Sequence, residues 1–343
     1  MKKLLNTLYI TNPDRYLSLD GENVVVLHEN KEIGRIPLHN LEAIVTFGYT
    51  GASPKLMGAC AKRNISLLFM TEYGGFLARI TGEVKGNVML RKEQYRISDD
   101  DKRCYAIGRN FITGKLYNSK WIIERALRDY PMRIDVEKLK SKSDYLSKAI
   151  KSIQDCESTE QLRGIEGEAA STYFSVFDDM ILQQKEDFYF HTRNRRPPQD
   201  NVNAMLSFAY SLLSHMCASA LELVGLDPYV GFIHKDRPGR VSLALDLMEE
   251  FRSIMADRFV LTLINKKMID KKSFIKKENG AVIMSDDARK TFLTFWQSRK
   301  QEIIQHPFLE EKVEWGMVPY IQALLLARYI RGDLDEYPPF LWK

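Results

Sequence analysis

Asp246, Glu249 and Glu250 fall at i, i+3 and i+4 in a stretch whose apolar residues (Leu243, Leu247, Phe251, Ile254, Met255) recur at helical spacing. All three carboxylates would then project from one side of a helix. Taken alone, this reads more simply as an exposed acidic face, with Arg237, Arg252 and Arg258 nearby to neutralise it, than as a metal site. His234 follows the short apolar run Gly231-Phe232-Ile233, and Pro238-Gly239 then leads into the acidic helix. A histidine on such a loop can share a ligand with the acids, although a lone histidine is more often structural. Glu166 stands between Gly164 and Gly167 in an otherwise helical stretch. Glycine inside a helix costs about 1 kcal/mol relative to alanine. The pair therefore predicts close helix packing, with Ala169 and Ala170 continuing the small face. A carboxylate buried there needs a cation, whereas Glu168 is predicted to face solvent. On its own, this segment still reads more simply as a helix contact with a solvated glutamate.

Two carboxylates and one imidazole make a mixed oxygen and nitrogen donor set that suits Mg2+ or Mn2+, the nitrogen tilting the choice toward Mn2+. The four cysteines, Cys60, Cys104, Cys156 and Cys217, are far apart and none is at CxxC spacing. Neither zinc nor an iron–sulfur cluster is supported, and free thiols in a reducing cytoplasm are expected. Arg193, Arg195 and Arg196 precede a double proline, which keeps their loop extended. A solvated loop and a phosphate-contacting loop are equally good readings of it. Arg237, Arg240 and Arg252, around the histidine and the acidic helix, join them as candidate DNA contacts. The paired lysines 266–267, 271–272 and 276–277 read as a solvated face.

The elements that must carry these residues change character along the chain. Up to residue 86, short runs rich in Val, Ile, Tyr and Leu alternate with turn signals: Asn12-Pro13-Asp14, Asp20-Gly21 and Glu29-Asn30. Asp20-Gly21 predicts a two-residue hairpin turn. A single helix is expected at 54–62 and a buried strand at ISLLFM, while GEVKG (82–86) reads as a connector. From residue 87, helical spacing predicts helices at about 100–130, 136–153, 159–182, 201–224 and 241–268, with two or three more between 285 and 330. The fold class is thus a two-domain α+β protein: a β-rich domain at 1–86, read as structural or dimerising, then an all-α domain at 87–343 carrying the chemistry.

Length and composition agree. The 343 residues are enough for two domains, and 45% hydrophobic with 28% charged residues is ordinary for a globular chain. A net charge of +5 from 50 basic and 45 acidic side chains excludes a polybasic tail. Nucleic-acid binding would need local patches. The N-terminus lacks a cleavage site and reads as a strand rather than a signal peptide. No apolar stretch reads as long enough to span a bilayer, so a cytoplasmic protein without a membrane is expected.

Four segments in order, RGIEGEAASTYF, RRPPQDNVNAMLSFAYSLL, GFIH and LALDLMEEFR, resemble the CRISPR adaptation integrase family, and the strand-rich half resembles that family's β domain. The resemblance implies metal ligands and catalytic residues at Glu166, His234 and Glu249, with Asp246 as a supporting acid. It implies Mg2+ or Mn2+ as cofactor and double-stranded DNA, prespacer and CRISPR repeat, as substrate. It further implies a homodimer, a small dimeric partner protein bridging two dimers, and an accessory prespacer-processing nuclease. The expected activity is joining of prespacer 3′-OH ends into the repeat boundary. A plain metal-dependent nuclease on branched or single-stranded DNA, and a non-catalytic DNA-binding scaffold, are the alternatives.

Overall fold

The computed structural model describes residues 6–71, 75–80, 82, 87–156 and 158–343. The expected connector at 82–86 lies, apart from Gly82, outside them. The chain divides into two compact units: residues 1–85 with 284–302 and 314–316, and residues 86–283 with 303–313 and 317–343.

The first unit is β-rich, as its composition predicts. Strands β2 (Tyr16–Asp20), β3 (Asn23–His28) and β4 (Lys31–Pro37) form an antiparallel meander. Its first turn is set where Asp20 pairs with Asn23 and Gly21 takes φ +56°, a conformation glycine adopts without a Cβ penalty. Glu29 and Asn30 turn the chain again at φ 48° and 63°. The second sheet has the order β1 (Asn6–Ile10), β5 (Leu41–Phe47), β6 (Ser66–Met70), β7 (Phe76–Ile80). Its parallel β5–β6 pair is joined by helix α1 (Pro54–Arg63). Ser53 Oγ caps that helix by accepting from Leu56 N at 3.2 Å, and Pro54 sits in its first turn. Leu17, Val24, Leu38, Ile44, Leu56 and Leu67 are fully buried in a core shared by both sheets and α1.

A later helix, α9 (Asp286–Gln301), belongs to this same unit. Phe292, Leu293 and Trp296 are buried, and Lys300 Nζ donates to Thr7 Oγ1 at 3.0 Å. The sequence suggested one cut after residue 86; instead the chain returns to the strand unit after finishing most of the helical one. Helical periodicity shows that residues 286–301 bury one face, but not against which partner.

The second unit is helical: α2 (Val88–Ser98), α3 (Asp101–Asp129), α4 (Val136–Ser152), α5 (Thr159–Phe174), α6 (Asn201–Val224), α7 (Ser242–Glu249), α8 (Arg258–Asn265) and α10 (Val318–Ile330). Asp100, Ser158 and Asp200 cap α3, α5 and α6 through backbone N–H groups, at 3.0, 3.2 and 2.7 Å. Helix α3 is the central element, burying Ile107, Phe111, Lys115, Leu116, Asn118 and Ile122. Helix α6 is long and apolar enough by length and composition to cross a membrane, which revises the expectation that no segment is. However, 67% of its most apolar window is buried inside the fold.

Two predicted helices are shorter than expected. The one predicted over 159–182 ends at Phe174. The one predicted over 241–268 is broken: α7 stops at Glu249, a wider π-helical turn runs Arg252–Asp257, and α8 follows. The apolar residues keep a helix-like spacing through the break, so periodicity alone does not reveal it.

Candidate active site

The three carboxylates of the acidic helix enter three different surroundings, all buried. The exposed acidic face suggested by the spacing is absent. Asp246, with 0% exposure, closes a short loop around itself. Its Oδ2 accepts from Phe232 N at 2.6 Å and Ile233 N at 3.0 Å, and its Oδ1 from His234 N at 3.0 Å. The same Oδ1 lies 2.6 Å from His234 Nδ1. A carboxylate there can only accept, so Nδ1 carries a proton, and in the neutral ring Nε2 keeps its lone pair. Gly231 makes this turn possible: a Cβ there would lie 2.8 Å from His234 O and 2.9 Å from Asp246 Oδ2.

Glu249 turns the other way. Its Oε1 accepts from Arg252 Nη1 at 2.7 Å. Its Oε2 is buried 2.8 Å from the ammonium of Lys115. Burial pushes this carboxyl upward. The charges of Arg252, Lys115 and His234 outweigh that and hold its pKa at about 2. Glu250 faces the C-terminal segment, accepting from Tyr337 OH at 2.7 Å, Phe340 N at 2.9 Å and Gln322 Nε2 at 3.1 Å. Burial raises its pKa to about 8 against the pull of those three donors.

Glu166 reaches the same lysine from α5, with Lys115 Nζ donating to its Oε1. Two carboxylates from separate helices therefore share one cation. The His234 loop is tied to α5 as well, because Arg163 donates to Ile233 O. His234 is near enough for its charge to act on Glu249. Among the described residues, no three His, Cys, Asp or Glu side chains are gathered closely enough to hold an ion as they stand. The glycines flanking Glu166 do not pack as the sequence suggested. A Cβ on Gly164 or Gly167 would meet nothing within 4 Å. Glu166 is partly buried, its side chain 29% exposed, because of its contact with Lys115. Glu168 is exposed and accepts from Tyr145 OH at 2.8 Å.

A cleft beside these groups is lined by Lys115, Glu166, Arg193, Arg195, Tyr210 and Arg252. The guanidinium groups of Arg193 and Arg252 lie over the Tyr210 ring at 5.2 and 4.8 Å. Tyr210 OH donates to Asp257 Oδ1 at 2.5 Å. Of the predicted DNA contacts, Arg195 and Arg196 are exposed and Arg193 is anchored on Asn203 Oδ1 at 2.6 Å. Arg237 is exposed, Arg240 Nε donates to Ser242 Oγ at 3.2 Å, and Arg252 is committed to Glu249. The sequence reading missed Lys115 and Tyr210. For Lys115 there was a signal: it sits in the apolar stripe of α3 formed by Cys104, Ile107, Phe111, Ile122 and Ala126, where a lysine demands a partner.

Glu166 and Glu249 thus meet at Lys115, while His234 is held by Asp246 on a loop tied to α5. Residues 8–298 match the family described as CRISPR associated protein Cas1. The chain is 52% identical to "CRISPR-associated endonuclease Cas1 1" of Chlorobaculum tepidum over 343 residues, covering 100% of both chains. Its fold is similar to that of a solved structure described as "Casposase bound to integration product". The TM-score is 0.84 at 23% identity, covering 98% of this chain and 93% of that one. It is also similar to a chain of a "Cas6-RT-Cas1--Cas2 complex", with TM-score 0.83 at 21% identity, covering 100% of this chain and 36% of that one. Sequence and fold together thus place the chain in the Cas1 family of CRISPR-associated proteins.

Proposed function

We propose that this protein is a divalent-metal-dependent DNA integrase that joins the 3′-OH ends of short prespacer DNA into the repeat boundary of a CRISPR array. The observation that carries the reading is the convergence of Glu166 and Glu249, from two helices, on one buried positive charge. Glu249 Oε2, buried against the Lys115 ammonium at 2.8 Å, is an acceptor suited to a cation. The residues that would hold Mg2+ or Mn2+ are Glu166, Glu249 and His234 through Nε2. Such an ion would supply Lewis-acid stabilisation of the attacked phosphate and lower the pKa of the attacking hydroxyl.

The chain's own residues do the rest. Asp246 fixes the His234 ring and its tautomer. Arg252 holds Glu249 toward the gap. Arg193 and Arg195, lining the cleft, contact phosphates without reading sequence. Strand transfer exchanges one phosphodiester for another, so the demand on the protein is chiefly to align a DNA end with its target. The reading includes a homodimer, a small dimeric partner equivalent to the Cas2 named in a structural relative's complex, and a helper nuclease that trims prespacers. It sets the activity in the cytoplasm, in keeping with four cysteines that are not disulfide-bonded.

The word "endonuclease" in a relative's name favours a second reading, hydrolysis by the same site. One assay separates the two: a DNA fragment with a free 3′-OH is incubated with a supercoiled repeat-bearing target and Mn2+. Joined products are expected from the wild type and none from Glu166→Ala, with its circular dichroism and dimer unchanged. Shortened products alone would establish the nuclease instead, and joining by Glu166→Ala would remove that residue from the site.

A further inference from the structure

Lys115 occupies a position that a lysine rarely takes. It lies in the buried stripe of the central helix α3, with only 10% of its side chain exposed. A buried ammonium is stable only beside compensating charge, and it has two such partners, Glu166 on α5 and Glu249 on α7. Glu166 Oε1 accepts a hydrogen bond from Nζ. Glu249 Oε2 lies 2.8 Å from the same Nζ, and charge and hydrogen bonding from Lys115 both favour its ionised form. Both contacts compensate charge, so another cation placed between the carboxylates can take over what the ammonium supplies. Meanwhile Arg252 Nη1 grips the opposite oxygen at 2.7 Å, which keeps Oε2 aimed at the gap whatever fills it. Next to Lys115 lies a cleft whose lining includes Ser119, Leu146, Ala169, Ala170 and Phe174, the space into which the ammonium would move.

We propose that Lys115 is the resident counter-cation of this site: without metal its ammonium stands between the Glu166 and Glu249 carboxylates, and a divalent cation binds by displacing it. The inference rests on the metal-site reading above and adds a residue and a sequence of events to it. Lys115 has two effects. It keeps two like charges from facing each other uncompensated when metal is absent. It also weakens metal binding, because the incoming ion must evict one positive charge and then sit near it.

The test uses the full chain, stripped with chelator, and reads Mn2+ affinity by electron paramagnetic resonance and thermal unfolding with and without Mn2+. Lys115→Met removes the charge and keeps the stem. It should unfold at a lower temperature than the wild type without metal, gain more from Mn2+, and bind Mn2+ at least about tenfold more tightly. Lys115→Arg keeps the charge and can fork onto both carboxylates. It should be harder to displace and bind Mn2+ more weakly than the wild type. Equal or weaker affinity in Lys115→Met, or equal or tighter affinity in Lys115→Arg, overturns the proposal. Glu166→Gln, run in parallel, isolates the underlying reading. If the wild type does not bind Mn2+, or Glu166→Gln binds it equally well, the metal site itself is wrong; if only the Lys115 variants misbehave, the site stands and the displacement falls.

Discussion

Asp246 makes more contacts to the His234 loop than any chain of apolar residues could replace. Three backbone N–H groups and one imidazole nitrogen converge on its two oxygens, at 2.6 to 3.0 Å. An asparagine has the same shape but one acceptor oxygen and a donor group in place of the other. Asp246→Asn would set an N–H2 against backbone N–H groups and release the ring from its fixed tautomer. The expected outcome is Mn2+ binding weakened about 10- to 100-fold, the usual cost of losing a ligand's outer partner. A Mn2+ titration of the folded variant checks it, and unchanged affinity would show that His234 needs no orienting carboxylate. At this scale the four residues were singled out together only through the family resemblance; taken alone, Glu166, His234 and the acids at 246–250 each read more simply as solvated or structural. The partner each one meets was not legible: Asp246 and Glu249 both lie within the regular helix α7, and the loop at 232–234, Lys115 and Arg252 that they contact come from elsewhere or from beyond its end.

Elements of the helical unit are joined near the site by one polar side chain, Asn118 on α3. Its Nδ2 donates to Glu250 O at 2.7 Å and to Phe340 O at 2.8 Å, and its Oδ1 accepts from Trp342 N at 2.9 Å. It thus ties the helix that carries Lys115 to the end of the helix that carries Glu249, and both to the C-terminal segment, where Tyr337 and Phe340 are fully buried. The Glu250 carbonyl lies where α7 gives way to the π-helical turn, and the Asn118 amide donates to it there. Asn118→Ala leaves three buried backbone groups without this partner. Each costs about 1–3 kcal/mol, and partial relaxation brings the expected loss to about 3 kcal/mol, measured by urea unfolding of the helical unit. A loss under about 1 kcal/mol would mean that the C-terminal segment holds itself in place. The tail and the turn were the least legible elements for one reason: both depend on side chain to backbone bonds between distant segments, which no local period encodes. The hairpin at Asp20-Gly21 and the starts of α1, α3 and α6 were legible because a few neighbouring residues determine them.

Across the molecule, a net charge of +5 says little about where charge is buried, and the buried ionisable groups govern how the protein responds to pH. His306 is one that the sequence did not single out. It is fully buried, its Nδ1 accepts from Phe308 N and Leu309 N at 3.3 Å each, and its ring meets Phe340 edge-on at 5.2 Å. Burial lowers its pKa from 6.5 to about 4. A histidine depressed in the folded state contributes stability that is complete above the unfolded pKa of 6.5. As pH falls, the unfolded chain takes up a proton that the folded chain refuses, and the contribution is gone once pH passes about 4. A tenfold difference in proton affinity is worth about 1.36 kcal/mol, so the loss across that window is about 3 kcal/mol. Other carboxylates titrate in the same range, so the wild-type slope alone would not isolate this residue. His306→Asn does isolate it, because an asparagine carbonyl can still accept from the two backbone N–H groups in the manner of an Asx turn but cannot be protonated. The difference in unfolding free energy between wild type and His306→Asn, read from urea titrations at about pH 6.5 and pH 4.5, should change by about 2–3 kcal/mol in favour of the variant at the lower pH. Parallel curves at the two pH values would show that the imidazole takes up its proton inside the fold as readily as outside it.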